Sequence, residues 1–169
     1  MFKTKFKRLT CWLIAFSFLL ILVVTIPNLP AQALIRETVE KPGQVVYQSR
    51  QTLKDQNGTT WQIVLFKRIK NDAEPEINLR LVGFPDMVVF QHPAPLIIHP
   101  DANSTFELDD AFATESPGEN VGQYLISNTF QASQPNGIWE LELPLVNQTN
   151  TIKVPYFVLQ EWQALLSKN

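Results

Sequence analysis

Apolar and polar positions alternate most regularly between residues 44 and 70, and this alternation predicts a β-hairpin. Because side chains alternate between the two faces of a strand, one face of the first arm carries five residues: Val45, Tyr47, Ser49, Gln51 and Leu53. The same alternation gives the matching face of the second arm four residues: Trp61, Ile63, Leu65 and Lys67. Between the arms, the pair Asn57-Gly58 predicts a tight primed turn, because such a turn needs two residues with positive φ. The hairpin therefore fixes a register and a face that another layer must cover.

Shorter alternating segments follow the hairpin. Residues 76–83 predict a third antiparallel strand whose Ile and Leu side chains point toward the core, with Asn78 and Arg80 toward water. Residues 138–143 alternate in the same way. Prolines at positions 85, 93, 95 and 100 exclude long central strands in this part of the chain, because each proline removes a hydrogen-bond donor from the ladder. Short edge strands or a crossing loop are what remain there.

The apolar period changes after Pro155, and the change predicts a C-terminal amphipathic helix over residues 155–167. Its expected buried face carries Tyr156, Leu159, Trp162, Leu165 and Leu166. Several short strands with turn signals, followed by one helix, are typical of a mainly β domain. We therefore expect residues 34–169 to form a single domain, in which one antiparallel sheet curls into a small barrel or sandwich and the helix covers one face.

The chain begins with a segment that has the three parts of a secretory signal peptide. Four basic residues among the first eight precede an apolar run over residues 9–26, and Ala31-Gln32-Ala33 supplies a small-residue cleavage site. We expect residues 1–33 to be a signal peptide that is cut after Ala33. The alternative is an uncleaved membrane anchor, because this apolar run is just long enough to span a bilayer. Two prolines directly after the run favour cleavage.

Removal of the signal peptide changes the formal charge of the chain from −2 to −6, since 10 of its 14 Lys and Arg residues remain beside all 16 Asp and Glu residues. A negative charge excludes nucleic acid as an expected partner and argues against anionic membrane surfaces. Membrane contact is therefore expected only through the signal segment before cleavage. The one cysteine, Cys11, leaves with that segment, so the mature chain has neither disulfides nor thiol chemistry.

The two histidines offer the best candidates for chemistry. His92, His99 and Asp101 are close in sequence and are weak candidates for a metal site, because zinc needs three or four convergent ligands. The competing interpretation is that both imidazoles are surface side chains in a proline-rich loop. We therefore expect no catalytic residue, no cofactor and no enzymatic activity. A metal-dependent enzyme that uses residues 92–110 is kept as the second alternative function.

Short apolar runs flanked by prolines occur between residues 84 and 98. Five of their side chains are candidates for partner binding: Met87, Val88, Phe90, Leu96 and Ile98. Apolar residues in a loop favour an exposed patch of this kind. The alternative, equally supported by the sequence, is that the segment folds over an open end of the barrel and buries these side chains itself.

The number of large apolar side chains also leaves a carrier function open. Six of them are more than a core of this size requires: Phe84, Met87, Phe90, Phe106, Phe112 and Phe130. A small β-barrel can hold a lipid, a pigment or another apolar molecule in its interior. The simpler interpretation, which we favour, is that these side chains fill the core.

Three segments resemble a known family, namely the hairpin VVYQSRQTLKDQNGTTWQIVLFKR, the later VGQYLISNTF and the terminal VPYFVLQEWQALL. They are similar to a family of small exported cyanobacterial proteins of uncharacterised function. The motifs are structural rather than catalytic, and the resemblance implies export to the periplasm or the thylakoid lumen. An exported chain without a catalytic set is most simply a non-catalytic binding or assembly factor. We expect it to act on a membrane-anchored protein complex from the lumenal or periplasmic side.

The cleavage prediction is tested by mass spectrometry of the protein purified from its native host. We expect a mature chain that begins at Leu34, because a signal peptidase requires small side chains at the first and third positions before the cut. Ala33→Leu should block cleavage, whereas the matched control Gln32→Leu, at the position between them, should be cut normally. A wild-type protein that keeps Met1 and stays in the membrane fraction would contradict the prediction.

Overall fold

The computed structural model describes residues 35–71, 73–126 and 137–168. The predicted signal peptide lies outside these residues. The described chain forms strands and a helix in this order: β1 (Arg36–Lys41), β2 (Gln44–Lys54), β3 (Thr60–Lys70), β4 (Glu76–Val82), β5 (Leu96–His99), β6 (Phe106–Leu108), β7 (Val121–Leu125), β8 (Trp139–Leu145), β9 (Gln148–Val154) and α1 (Tyr156–Leu166). Within the described ranges, no helix is long and apolar enough to cross a membrane.

The strands form two antiparallel sheets. One has five strands in the order β1-β2-β3-β4-β7, and the other has four in the order β6-β5-β8-β9. The prediction of a mainly β fold with one C-terminal helix is confirmed, with two sheets in place of one and without closure into a barrel in the described part. β5 pairs with a strand on each side and is therefore not the edge strand that its prolines suggested.

The predicted hairpin is the longest pairing of the described chain. β2 and β3 pair from Gln44 opposite Lys70 to Lys54 opposite Thr60, without a register shift. The predicted faces are confirmed, because the residues expected to share a face stand opposite one another, as Ser49 does to Leu65. Of these side chains, Trp61, Ile63 and Leu65 join one core cluster with residues of β4, β5, β8, β9 and α1, and Tyr47 and Leu53 pack against it.

The turn of the hairpin differs from the prediction. Only Gly58 takes a positive φ there, 83°, so the expected primed turn with Asn57 also at positive φ is wrong. The amide of Gly58 donates to the carbonyl of Asp55 at 3.0 Å, and the amide of Asp55 donates to the carbonyl of Thr59 at 3.0 Å. This is the pattern of a three-residue loop with a type I turn followed by a bulge at glycine.

A buried carboxylate explains why this turn is preferred. Oδ1 of Asp55 accepts the amides of Asn57 and Thr59 at 2.9 Å each, while Oδ2 accepts Nε1 of Trp61 at 3.0 Å and Nδ2 of Asn150 at 2.7 Å. Burial by itself would raise the pKa of Asp55, but these four hydrogen bonds act in the opposite direction and lower the pKa below its ordinary value. Asp55 is therefore a charged, fully hydrogen-bonded group at neutral pH.

The same turn joins the two sheets. Asp55 forms an isolated bridge with Ile152 of β9, and the amide of Gln56 donates to the carbonyl of Thr151 at 3.0 Å. Since Asn150 also lies on β9, the hairpin tip of the five-stranded sheet is attached to the edge of the four-stranded sheet by both backbone and side-chain bonds.

The five-stranded sheet is buried on parts of both faces. Opposite the core, Val46, Val64 and Phe66 form a second apolar cluster, and each is at most 7% exposed. Asn78 is fully buried beside this cluster, so the expectation that it faces water is wrong. Arg80 is only partly exposed. The reason is that β4 lies inside the sheet, between β3 and β7, so its outward side chains are flanked by neighbours on both sides.

The apolar segment after β4 is mostly buried, and the expected exposed patch is wrong for four of its five candidate side chains. Val88 and Phe90 belong to the core, as do Leu96 and Ile98 of β5. Backbone pairing is the cause, because β5 is an interior strand and the stretch around Phe90 hydrogen-bonds to the end of β8. Met87 differs from the others and is 66% exposed.

The C-terminal helix contacts β2 and β3 on the core side, but its buried face differs at the start from the predicted one. Tyr156 is exposed, since it opens the first turn at the helix end, and the buried positions are Val158, Leu159, Glu161, Trp162 and Leu165. Nζ of Lys67 donates to the carbonyls of Leu166 at 2.7 Å and Lys168 at 2.5 Å. A cation on these carbonyls is favourable, because the C-terminal end of a helix carries partial negative charge.

We predict that Asp55→Asn lowers the free energy of unfolding at pH 7 by about 2 kcal/mol, because an amide offers one acceptor oxygen in place of two and leaves buried donors unpaired. Urea unfolding of both proteins measures this difference. The exposed acid Glu74 is the matched control, and Glu74→Gln should leave the midpoint nearly unchanged.

The same pair of proteins gives the pH dependence. The folded-state pKa of Asp55 is lowered, so its contribution is present above the unfolded pKa of about 4 and is lost as the pH falls through the folded value. The stability difference between wild type and Asp55→Asn should therefore shrink between pH 5 and pH 2. Two stability curves that stay parallel over this range would contradict the role of the charged carboxylate.

Candidate functional site

Of the three residues proposed for a metal site, His99 and Asp101 line one depression of about 390 Å³, together with Glu140, whereas His92 does not line it. Nδ1 of His99 lies 3.2 Å from Oγ1 of Thr105, and its Nε2 lies 3.5 Å from a carboxylate oxygen of Glu142. Asp101 accepts hydrogen bonds within its own turn, and His92 is paired with a different carboxylate. In the described part of the chain, no group of three or more His, Cys, Asp or Glu side chains is arranged to hold a metal ion.

His92 forms a close pair with Asp110. Nδ1 of His92 lies 2.6 Å from Oδ2 of Asp110, whose Oδ1 accepts the amide of Phe112 at 2.8 Å. The nearby hydroxyl of Tyr124 is buried, and burial, followed by the charge of Asp110, raises its pKa, so the phenol stays neutral. Nε2 of His92 is itself buried. We interpret the pair as an anchor for the loop after β6, since its free nitrogen is closed to a substrate.

A more promising feature lies on the outer face, which we define as the face of the five-stranded sheet opposite the core. It carries an open depression of about 210 Å³, and every lining residue belongs to β1, β2, β3 or β4: Glu40, Val46, Gln48, Arg50, Gln62, Val64, Phe66, Arg68, Arg80 and Val82. The pairing of the strands sets which side chains are neighbours. Arg50 stands opposite Val64, which stands opposite Arg80, which stands opposite Gln123. An apolar side chain thus lies between two arginines.

Arg80 is held in a defined position on this face. Its guanidinium carbon lies 5.5 Å from the ring centre of Phe66 and 6.0 Å from that of Phe112. Nε and Nη2 donate to Oε1 of Gln123 at 2.9 and 2.6 Å. Burial, followed by the charge of Arg68, lowers the pKa of Arg80, which nevertheless remains a cation because arginine titrates far above neutral pH.

The partners of Arg80 differ from those of Arg68. Arg68 forms ion pairs with Glu40 and Glu76, each at 3.2 Å. Among the described residues, Arg80 forms no ion pair, and its one hydrogen-bonding partner is the neutral amide of Gln123. Its positive charge is therefore not compensated by a carboxylate of the described chain.

A second depression continues the outer face toward the turn after β4. It has a volume of about 260 Å³ and is lined by Thr52, Thr60, Gln62, Val82, Gly83 and Phe84. Gln62 and Val82 line both depressions, so the two are adjacent. Phe84 is 52% exposed, and Met87 follows it in the same turn. The outer face therefore has an apolar end near this turn and a positively charged end near Arg80.

Comparison with known proteins gives one family. Over residues 33–165, the chain matches the family described as protein of unknown function (DUF3122). The chain belongs to this family. The expected resemblance to an uncharacterised family is confirmed at that level. No curated protein and no solved structure matches the chain.

Family membership supplies no activity, and the outer face was not predicted from the sequence. The alternating pattern assigned Asn78 and Arg80 to solvent. The second face of β2 is mostly polar in sequence, so this pattern gave no reason to expect a site on the outer face. One signal was present in the run Ile63-Val64-Leu65-Phe66, because consecutive apolar residues in a strand indicate that both faces are buried. That run predicts an apolar patch on the outer face but does not predict the arginines beside it.

Proposed function

We propose that this protein is an exported, non-catalytic binding protein that engages a membrane-anchored protein complex through its outer face, from the periplasmic or lumenal side. The observation that carries the proposal is the composition of that face. Two arginines without carboxylate partners among the described residues, Arg50 and Arg80, share this face with the partly exposed Val82 and the exposed Phe84. Aromatic residues, Met and Arg are the side chains enriched in protein interfaces.

The exposed turn after β4 extends this surface. Phe84, which lines the second depression, and Met87, which belongs to the same turn, are both more than half exposed. Large apolar side chains that adjoin an open apolar depression favour a contact site over a purely solvated surface. Met87 thus keeps the partner-binding role that the sequence suggested, whereas the buried candidates around it are replaced by residues of the outer face.

A protein partner fits this surface better than a small apolar ligand. Binding sites for small molecules are concave and have volumes of about 300–1,000 Å³, and each of the two depressions on the outer face is smaller than that. A depression of about 390 Å³ elsewhere reaches that size, but the residues that line it are mostly polar or charged, namely His99, Asp101, Ala102, Ile138 and Glu140. The inner faces of both sheets are filled by their own side chains, including Trp61, Trp139 and Trp162. Within the part of the chain that the structure describes, the carrier function is therefore not supported by an apolar cavity, and the enzyme function is supported only by the His92–Asp110 pair and by the depression at His99 and Asp101.

The compartment in this proposal rests on the N-terminal sequence and on the resemblance described above. A signal peptide would release a chain with a formal charge of −6. Such a charge disfavours attachment to anionic lipids, so a membrane-bound location would come through a protein. The proposal therefore has three parts, namely that the protein is exported, that it binds a membrane complex and that it is not catalytic.

The test is affinity capture of a tagged copy from native membranes under mild detergent. The outer-face variant Phe84→Ser/Met87→Ser changes two exposed side chains, so it should stay folded. We expect it to recover a defined membrane complex at least about tenfold less than wild type, because tenfold corresponds to about 1.4 kcal/mol of contact energy.

The matched control is Ile138→Ser/Phe157→Ser, which removes two equally exposed apolar side chains outside the outer face. It should capture the complex as wild type does. Recovery of the protein alone, or equal losses in the two double variants, would refute the proposal.

A further inference from the structure

We propose that Arg80 recognises a carboxylate that lies beside an apolar side chain in an acidic segment of the partner protein. The inference rests on the proposed function and names the chemistry that the outer face selects. It follows from the donors that Arg80 leaves free, from the rigidity of its position and from the charges around it.

The guanidinium of Arg80 has N–H donors that make no hydrogen bond within the described residues. An arginine carries five N–H groups, and those of Nε and Nη2 already point at Gln123. Nη1 makes no hydrogen bond within the described residues, and it is not among their fully buried polar atoms without a partner, so solvent reaches it at least in part. A carboxylate can therefore approach the guanidinium from the solvent side.

Side-chain amides hold this donor in place. Nε2 of Gln123 donates to Oδ1 of Asn78 at 3.2 Å, and Nδ2 of Asn78 donates to Oε1 of Glu76 at 3.2 Å. The first donation leaves the oxygen of the Gln123 amide facing Arg80. This series of hydrogen bonds ends at Glu76, and the charge of Glu76 is compensated by Arg68 and Lys70.

Two aromatic rings restrict the guanidinium further. Phe66 and Phe112 both lie within about 6 Å of its central carbon, close enough for cation–π contact. An arginine that is already fixed loses little conformational entropy on binding, which makes it a better recognition group than a free surface lysine.

The surroundings favour a single carboxylate over a phosphate. Two other cations share this face with Arg80: Arg68 is already paired with Glu40 and Glu76, and Arg50 stands on β2, across Val64 from Arg80. Because β3 separates Arg50 from Arg80, an anion bound at Arg80 meets one uncompensated positive charge there, which matches the single charge of an Asp or Glu side chain and falls short of the two charges of a phosphate group.

The apolar neighbours define the rest of the ligand. Val64 lies next to Arg80 in the strand pairing, and Phe66 lies beneath the guanidinium. Since Val64 and Phe66 are each only 7% exposed, a segment that places its carboxylate on Arg80 sets its adjacent side chain on the partly exposed Val82 and the exposed Phe84, at the apolar end of the outer face. An alternation of acidic and large apolar residues fits this spacing.

The experiment uses two defined peptides, acetyl-Leu-Phe-Glu-Leu-Phe-amide and the same peptide with Gln in place of Glu. Each is titrated into the ¹⁵N-labelled protein while amide and arginine Nε–H shifts are followed by NMR. We expect the Glu peptide to shift Arg80 Nε–H and the amides of β3 and β4. It should bind about five- to tenfold more tightly than the Gln peptide, as a partly buried ion pair allows.

Variants assign the difference to one side chain. Arg80→Gln should bring the affinity for the Glu peptide down to that for the Gln peptide. Arg80→Lys, which keeps the charge but not the fork of donors, should retain part of the preference. The matched control Lys153→Gln removes a cation paired with Glu140 on the other sheet and should change neither affinity.

The outcomes separate this inference from the proposed function. Equal affinities for the two peptides in wild type would overturn the inference, and this comparison does not depend on any variant folding. Arg80-dependent sedimentation with phosphatidylglycerol vesicles, without the Glu preference, would overturn it in favour of lipid. If Arg80→Gln still captures the membrane complex that Phe84→Ser/Met87→Ser loses, the inference fails while the proposed function stands.

Discussion

The buried carboxylate of Asp55 connects the parts of this fold. Its four hydrogen bonds close the hairpin turn, fix Trp61 at the start of β3 and reach Asn150 on the other sheet. A charged group in this position is stable because every neighbouring donor points at it, and removing one acceptor would leave buried donors without partners. The arrangement fixes both the register of β2 with β3 and the attachment of the hairpin to β9.

The outer face is a consequence of that register. Because the side-chain period of a strand is two, a slip by one residue would move Val64 to the core side and Leu65 outward. In the observed register Val64 stands between Arg50 and Arg80, and the pairing of β4 with β7 brings Gln123 beside Arg80. An interaction at one end of the hairpin thus determines which side chains meet on a surface in the middle of the sheet.

The sequence predicted what local periodicity controls. The facing residues of the hairpin, the inward residues of β8 and the position of the C-terminal helix all follow from alternation or helical spacing. Pairings between distant segments were not predictable in this way, since β4 pairs with β7 across a long separation in sequence. The burial of Asn78 depends on that pairing, and so does the position of Arg80. The turn at Asn57-Gly58 was missed because Asp55 supplies bonds that favour a different loop.

The central claim is that the outer face contacts a protein partner, and site-specific photocrosslinking in the native host tests it most directly. A photoreactive residue at Gln48 lies on the outer face, and one at Thr151 lies on the four-stranded sheet with similar exposure. We predict that position 48 crosslinks to one defined membrane protein and that position 151 does not. Crosslinks to the same protein from position 151 alone, or equally from both positions, would contradict the account.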